Sequence, residues 1–297
     1  MSLQSFLDYL TYEKHSSVHT VAAYKNDIKS FFEFANIEFG VTEEAEINYS
    51  MIRSWIVELV QEELANRSIN RKISSLKAYY KFLQKIEAIE ISPLAKHKAL
   101  KVKKKIQIPF SEEEVEDVFK MVGSDQDFET LRNRVMVELF YGTGIRRSEL
   151  INLKISDINF GNNTIKVLGK RNKERILPLL KFLEESIKEY LIVRQKFLSN
   201  NTDPHLLLTN KGVKMYETFV YRIINGYFSQ ASKKVKTSPH MLRHTFATHL
   251  LNEGADLNAV KDLLGHTSLA ATQVYTHNSI AELSKAHNKF HPRNKKQ

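Results

Sequence analysis

The chain has 297 residues and carries 44 Lys and Arg against 34 Asp and Glu, a net charge of +10. Its length predicts two domains, and its basic excess points to a polyanionic partner, nucleic acid ahead of a membrane surface. The absence of cysteine excludes disulfide scaffolds, Cys-ligated zinc and thiol nucleophiles, and no apolar run approaches the ~20 residues of a bilayer span.

Glycine and proline are scarce, 10 and 6, which favours helices over a strand-rich sandwich. Met1 to Leu10 contains Asp8 and no apolar stretch of signal-peptide length, so the chain reads as a soluble cytoplasmic protein. Charge is unevenly distributed: residues 1–95 are net −3, residues 96–108 net +6 and residues 109–297 net +7.

Residues 1–95 read as a helical domain. Val21, Tyr24, Ile28, Phe31, Phe32 and Ala35 form one apolar helix face. Ile52, Trp55, Ile56, Leu59, Val60 and Leu64 form a second, and Ile69, Ile73, Leu76, Tyr80 and Leu83 a third. The third helix carries cations on its other side: Arg67 and Arg71, then Lys77, Lys81 and Lys85, spaced by four. In a domain of net acidic charge, that stripe is a candidate for DNA contact. Ser92-Pro93 ends the helical region, and residues 96–108, with Lys101, Lys103, Lys104 and Lys105, read as a basic linker suited to a phosphate backbone.

The second domain, residues 109–297, opens at Ser111, with Glu114 three residues on in a capping-box pattern. A helix through Phe128, Leu131, Val135, Met136, Leu139 and Phe140 ends at Tyr141-Gly-Thr-Gly144. Thr164–Leu168 and Glu174–Pro178 flank Gly169–Lys173 as a β-hairpin. A helix runs from Pro239 to about Asn252, closed by Gly254.

Four segments of this domain carry chemistry: Gly144-Ile-Arg146-Arg-Ser-Glu149-Leu, Gly169-Lys170-Arg-Asn-Lys173-Glu-Arg, Pro239-His240-Met-Leu-Arg243-His244, and Leu263-Leu-Gly-His266 followed by Tyr275. Phosphodiester cleavage needs charge stabilisation at phosphorus, a nucleophile and a proton for the leaving oxygen. Two guanidiniums fork onto non-bridging oxygens, a lysine protonates an alkoxide, a histidine moves a proton, and a tyrosine hydroxyl attacks. No Gly-x-x-x-x-Gly-Lys-Ser/Thr loop is present, and His240 with His244 lacks a third metal ligand.

In this order along the chain, the four segments resemble the signature boxes of the tyrosine recombinases, the phage integrase family, and most closely its Xer type. The resemblance extends to Ser68-Ile-Asn-Arg71 and to His291-Pro-Arg293, so it spans nearly the whole chain. It implies a mainly α fold with a small antiparallel sheet in the catalytic domain, arranged as a two-domain, C-shaped DNA clamp. Residues 1–95 would be a SAM-like core-binding domain. Arg146 and Arg243 would bind the scissile phosphate, Lys170 would protonate the 5′ oxygen, and His240 would act as base or proton shuttle. His266 would hydrogen-bond the phosphate, and Tyr275 would form a 3′-phosphotyrosyl link. Arg171 stands where many relatives carry glycine, which leaves the general acid open between Lys170 and Lys173. Glu149 reads as a helix cap or as a buttress for an arginine.

The resemblance further implies no cofactor and no metal. It implies duplex DNA with an inverted-repeat site, and a homo-tetramer or a hetero-tetramer with a paralogous recombinase. A cell-division DNA translocase is a possible partner, and the C-terminal tail would dock on a neighbouring subunit. Chromosome dimer resolution is the expected role. The alternatives are a mobile-element integrase, a type IB-like topoisomerase and a non-enzymatic DNA-binding protein on the same scaffold.

Overall fold

A computed structural model describes residues 2–102, 108–123, 125–169, 173–197, 203–232, 237–265 and 285–294. The chain forms two compact units, Met1–Lys105 and Ile106–Gln297.

The first unit holds α1 (Ser2–Asp8), α2 (Val18–Phe39), α3 (Tyr49–Gln61) and α4 (Asn66–Lys85). Ser17 caps α2 by accepting from Thr20 N–H, and Asn48 caps α3 by accepting from Ser50 and Met51 N–H at 2.9 and 3.2 Å. Caps of this kind each contribute about 1 kcal/mol. Ile28, Phe31, Ala35, Ile52, Trp55, Ile69, Ile73, Leu76 and Tyr80 are all buried, as the three apolar faces predict. Phe6 of α1 completes this core against Tyr79 and Phe82 of α4. The chain leaving the last helix folds back along α4. Leu94 is buried, and the Asn70 side chain bonds both backbone polar groups of Leu100, at 2.8 and 2.9 Å. Asn66 donates to Lys101 O at 2.9 Å. The basic segment is thus tied to α4 as far as Lys101, while Lys103, Lys104 and Lys105 lie outside the described residues.

The second unit is built around α6 (Phe128–Thr143), a helix buried on nearly every side. It packs against α8 (Lys181–Phe197) and α10 (Pro239–Asn252), while α5 (Glu112–Val122) packs on α9 (Glu217–Ala231). The capping box at the start of α5 is formed: Glu114 N–H donates to Ser111 Oγ, and Ser111 N–H donates to Glu114 Oε2 at 2.7 Å. Two short helices, α7 (Arg147–Asn152) and α11 (Leu257–Leu264), complete the set around the site. Strands β1 (Ile158–Asn159), β2 (Thr164–Leu168) and β3 (Glu174–Pro178) form an antiparallel sheet in the order β1-β2-β3. Ile165 faces Leu177 and Leu168 faces Glu174, the hairpin pairing the sequence predicts.

The tail returns to this unit. Residues 285–290 are helical, and His287 and His291 are buried against Phe246, Tyr141 and Phe182. Arg293 pairs with the buried Glu138 of α6 at 3.2 Å.

Candidate active site

The site begins where α6 stops. Gly144 follows the last turn of α6 with φ +59°, a left-handed conformation that favours glycine. A Cβ there would come 2.5 Å from a ring carbon of Phe246. The turn delivers Arg146 to the start of α7. Arg146 is extended (φ −76°, ψ 151°), because it caps the helix rather than belonging to it. Its direction is therefore set by the cap and not by a helical offset from Arg147. Arg147 pairs instead with Glu217 of α9.

Glu149 both caps and buttresses. Its Oε2 accepts from Arg146 N–H at 2.8 Å, and its Oε1 accepts from Arg146 Nη1 at 2.6 Å. From β3, Arg175 forks onto the same carboxylate at 2.9 and 2.8 Å. Burial alone would raise the Glu149 pKa. The Arg175 fork, helped by Arg146, overcomes burial and holds the carboxyl at about 2.

The C-terminus of α11 closes the arrangement. Three successive carbonyls there accept from three arginines: Leu263 O from Arg175 Nε at 3.1 Å, Leu264 O from Arg243 Nη2, and Gly265 O from Arg146 Nη2 at 3.4 Å. A helix C-terminus has unpaired carbonyls and the negative end of the dipole, so it suits cations. Arg243 also donates to Gly144 O, which ties α10 to the Gly144 turn. Arg243 is 6% exposed. Burial, then the charges of Arg146 and Arg175, lowers its pKa to about 10, so it stays protonated at neutral pH.

Arg146 and Arg243 line one open cleft of about 370 Å³, together with Arg147, His240, Glu217 and Tyr221. His240 is exposed in the first turn of α10, behind Pro239. Helix N-termini attract anions through free N–H groups and the dipole, and the start of α10, where His240 sits, faces this opening. Lys170, His266 and Tyr275 lie outside the described residues. Their described neighbours border the site. Gly169 N–H closes the base of the hairpin turn on Lys173 O at 2.7 Å, and a Cβ on Gly169 would lie 3.6 Å from Glu149 Oε1. Gly265, whose carbonyl meets Arg146, immediately precedes His266 in sequence.

His249 plays a packing part: its Nε2 donates to Phe110 O at 2.8 Å and its Nδ1 accepts from Tyr141 OH at 3.0 Å. On α4, Arg67, Lys77 and Lys81 are exposed, as is Lys101 beyond it. Arg71 is half exposed and bound to the buried Asp27, with Nη2 at 2.8 Å from Oδ1. Sequence reasoning assigned no role to Arg175 or to the α11 carbonyls. Arg175 had a signal: on β3 it occupies the inward position that alternates with Leu177, where a charge needs a buried partner.

The phage integrase family matches residues 109–282, and the phage integrase N-terminal SAM-like domain matches residues 3–86. A protein named tyrosine recombinase XerC from Oceanobacillus iheyensis is 39% identical over 98% of this chain and 96% of its own. Another of that name from Anoxybacillus flavithermus is 40% identical over 98% of both chains. Among solved structures, XerH recombinase bound to a palindromic difH substrate shares the fold at a TM-score of 0.72 and 21% identity, covering 99% of this chain and 83% of that one. The Tn1549 transposon integrase in complex with circular intermediate DNA does so at 0.66 and 19%, covering 95% and 98%. The described residues carry the mainly helical architecture and the small antiparallel sheet that the resemblance implied, here of three strands. The chain belongs to the phage integrase family and is a tyrosine recombinase of the Xer type.

Proposed function

We propose that this enzyme is a site-specific DNA recombinase that cleaves and rejoins duplex DNA through a 3′-phosphotyrosyl intermediate. The observation that carries the reading is the cleft where Arg146 and Arg243 converge beside His240 at the N-terminus of α10. Two guanidiniums, Arg146 fixed mainly by Glu149 and Arg243 by backbone carbonyls, are organised before the substrate arrives, so little reorganisation accompanies charge build-up on the phosphate.

Tyr275 Oη attacks the scissile phosphorus while the bond to the 5′ oxygen breaks. Lys170, or Lys173 three residues on, gives that oxygen its proton. His240 takes the tyrosine proton, and His266 hydrogen-bonds the phosphate. Arg146 and Arg243 neutralise the non-bridging oxygens in the pentacoordinate state. The phosphotyrosyl bond stores the energy of the bond it replaces. A 5′ hydroxyl from a second strand reverses the step, with no cofactor and no metal.

Both units would bind the duplex. Arg67, Arg71, Lys77, Lys81, Lys101, Lys103, Lys104 and Lys105 would supply phosphate contacts. The DNA would carry an inverted-repeat recombination site bound by four subunits, a homo-tetramer or a pair of paralogous recombinases. Exchange of C-terminal segments in that assembly would swap, between subunits, contacts of the kind that residues 285–294 make on their own catalytic unit. The role we assign is chromosome dimer resolution in the cytoplasm, with a cell-division DNA translocase as partner. Among the described residues no helix is long and apolar enough to cross a membrane.

The test uses duplexes selected by this protein from a random pool, nicked so that cleavage is trapped. The wild type accumulates a covalent adduct, and Tyr275→Phe binds equally but forms none. Adducts that persist in Tyr275→Phe remove that residue as nucleophile. Relaxation of plasmids lacking any selected site, without strand exchange, overturns site-specific recombination.

A further inference from the structure

Arg175 has no step in the cleavage proposed above, yet its side chain is 5% exposed on a core-facing position of β3. Burying a guanidinium is costly unless its donors are met. Those donors all lead to the groups around Arg146. Two fork onto Glu149, and Nε reaches Leu263 O. Glu149 in turn receives the side chain and the backbone N–H of Arg146. Two carboxylate oxygens thus serve four donors from two arginines.

We infer that Arg175 is a positioning residue for strand cleavage, which shares the charge of Glu149 so that Arg146 stays open to the scissile phosphate, and which pins the end of α11 in the same contact. The inference rests on the proposed role of Arg146. A carboxylate paired with Arg146 alone would be its full counter-ion, and a phosphate would have to compete for that guanidinium. Arg175 supplies the counter-charge from the protein side. Among the described residues, Arg146 then touches Glu149 through Nη1, and its other side-chain hydrogen bond is the long one to Gly265 O.

The second half of the role is geometric. Arg175 Nε and Arg146 Nη2 hold carbonyls two residues apart at the C-terminus of α11, just before the chain runs on to His266. Gly265 has φ +63°, and a Cβ there would lie 3.0 Å from Arg175 Cδ, so the turn and the arginine are fitted to each other. A lysine cannot replace this arrangement. One ammonium cannot fork onto Glu149 and reach Leu263 O together.

The test compares the wild type with Arg175→Lys, Arg175→Ala, Glu149→Gln and the double variant Glu149→Gln/Arg175→Ala on a nicked trapping duplex at saturating protein. Arg175→Lys keeps the charge and should bind DNA with unchanged affinity and salt dependence. Its cleavage step should slow about 100-fold, the effect of a misplaced reacting group. The double variant should cleave no more slowly than the slower single variant, because both residues act through one contact. A methylphosphonate at the scissile position removes the charge that Arg146 must meet, and should shrink the Arg175→Lys defect. Cleavage by Arg175→Lys at the wild-type rate overturns the inference. So do multiplicative losses in the double variant, an unchanged defect on methylphosphonate, or a fall in cleavage matched by an equal fall in binding, which would leave Arg175 a role in folding alone. Absence of adducts from the wild type would overturn the proposed function instead.

Discussion

Arg243 donates from one end of its guanidinium to Gly144 O and from the other to Leu264 O, so one side chain bridges the end of α6 and the end of α11. This explains how a cation can be almost fully buried beside two other arginines. Backbone carbonyls at two chain turns satisfy it, and Arg243 also borders the open cleft. The bridge depends on the tight turn at Gly144. Gly144→Ala would force a Cβ against Phe246 and Leu264 at an unfavourable backbone angle. We expect it to lower stability by about 1–3 kcal/mol and to reduce adduct formation beyond the loss of folded protein. Chemical denaturation together with adduct yield per folded molecule checks this.

Glu149 gives the catalytic unit an acid limit. Its folded pKa, about 2, lies below its ordinary 4.5. Stability from its ionised form is therefore complete above 4.5 and is lost as pH falls from 4.5 toward 2. Glu149→Gln should be less stable than the wild type at pH 7, since it leaves Arg175 without its counter-charge, and the gap should narrow below pH 4.5. Denaturation midpoints of both proteins between pH 7 and 3 test the sign.

The cations of α4 should not behave alike. Arg67, Arg71, Lys77, Lys81 and Lys85 fall within an arc of about 120° at 100° per residue. Arg71, however, is held by Asp27, whose side chain is 4% exposed and which also accepts from Ser75 at 2.7 Å. Arg71→Ala should cost about 1–3 kcal/mol by leaving a buried carboxylate short of a donor, with Lys72 at 3.6 Å as partial compensation. Lys77→Ala and Lys81→Ala should leave stability unchanged and each lower the salt slope of DNA binding by about one. The fluorescence of Trp55, the one tryptophan of the chain, reports unfolding of the first unit beside the binding titrations.

The tail carries a pH dependence. Burial lowers His287 to about 4, and burial with the charges of His287, Arg293 and His249 lowers His291 to about 3. Both sit below their ordinary 6.5, so the unfolded chain binds protons that the folded one refuses. The stability of these contacts is complete above pH 6.5 and falls as pH drops from there toward 4. The slope is at most about 1.4 kcal/mol per pH unit for each histidine. Proteolysis of the C-terminal segment should quicken between pH 7 and 5. His291→Gln should flatten that dependence; an unchanged profile contradicts it.

Apolar periodicity made α2, α3 and α4 legible, because each buries one face and leaves the other in water. The Ser111–Glu114 box and the β2–β3 hairpin were legible because caps and turns have local chemistry. The N-terminal α1 went unread: seven residues with Phe6 and Leu7 buried give too short a pattern. In the site, Arg146, Arg243 and His240 were readable from ordered motifs. The Arg175–Glu149 fork was not, because its partners are 26 residues apart on different elements and meet only in the folded chain. The return of Arg293 to Glu138, across 155 residues, was hidden for the same reason.

The most direct test of the central claim is to trap the wild-type adduct on a nicked duplex, digest protein and DNA, and identify by mass spectrometry which of the twelve tyrosines carries the nucleotide. The account predicts a phosphodiester on the peptide containing Tyr275, joined to a 3′ nucleotide. Linkage to any other tyrosine, to a residue of another type, or to a 5′ end would contradict it.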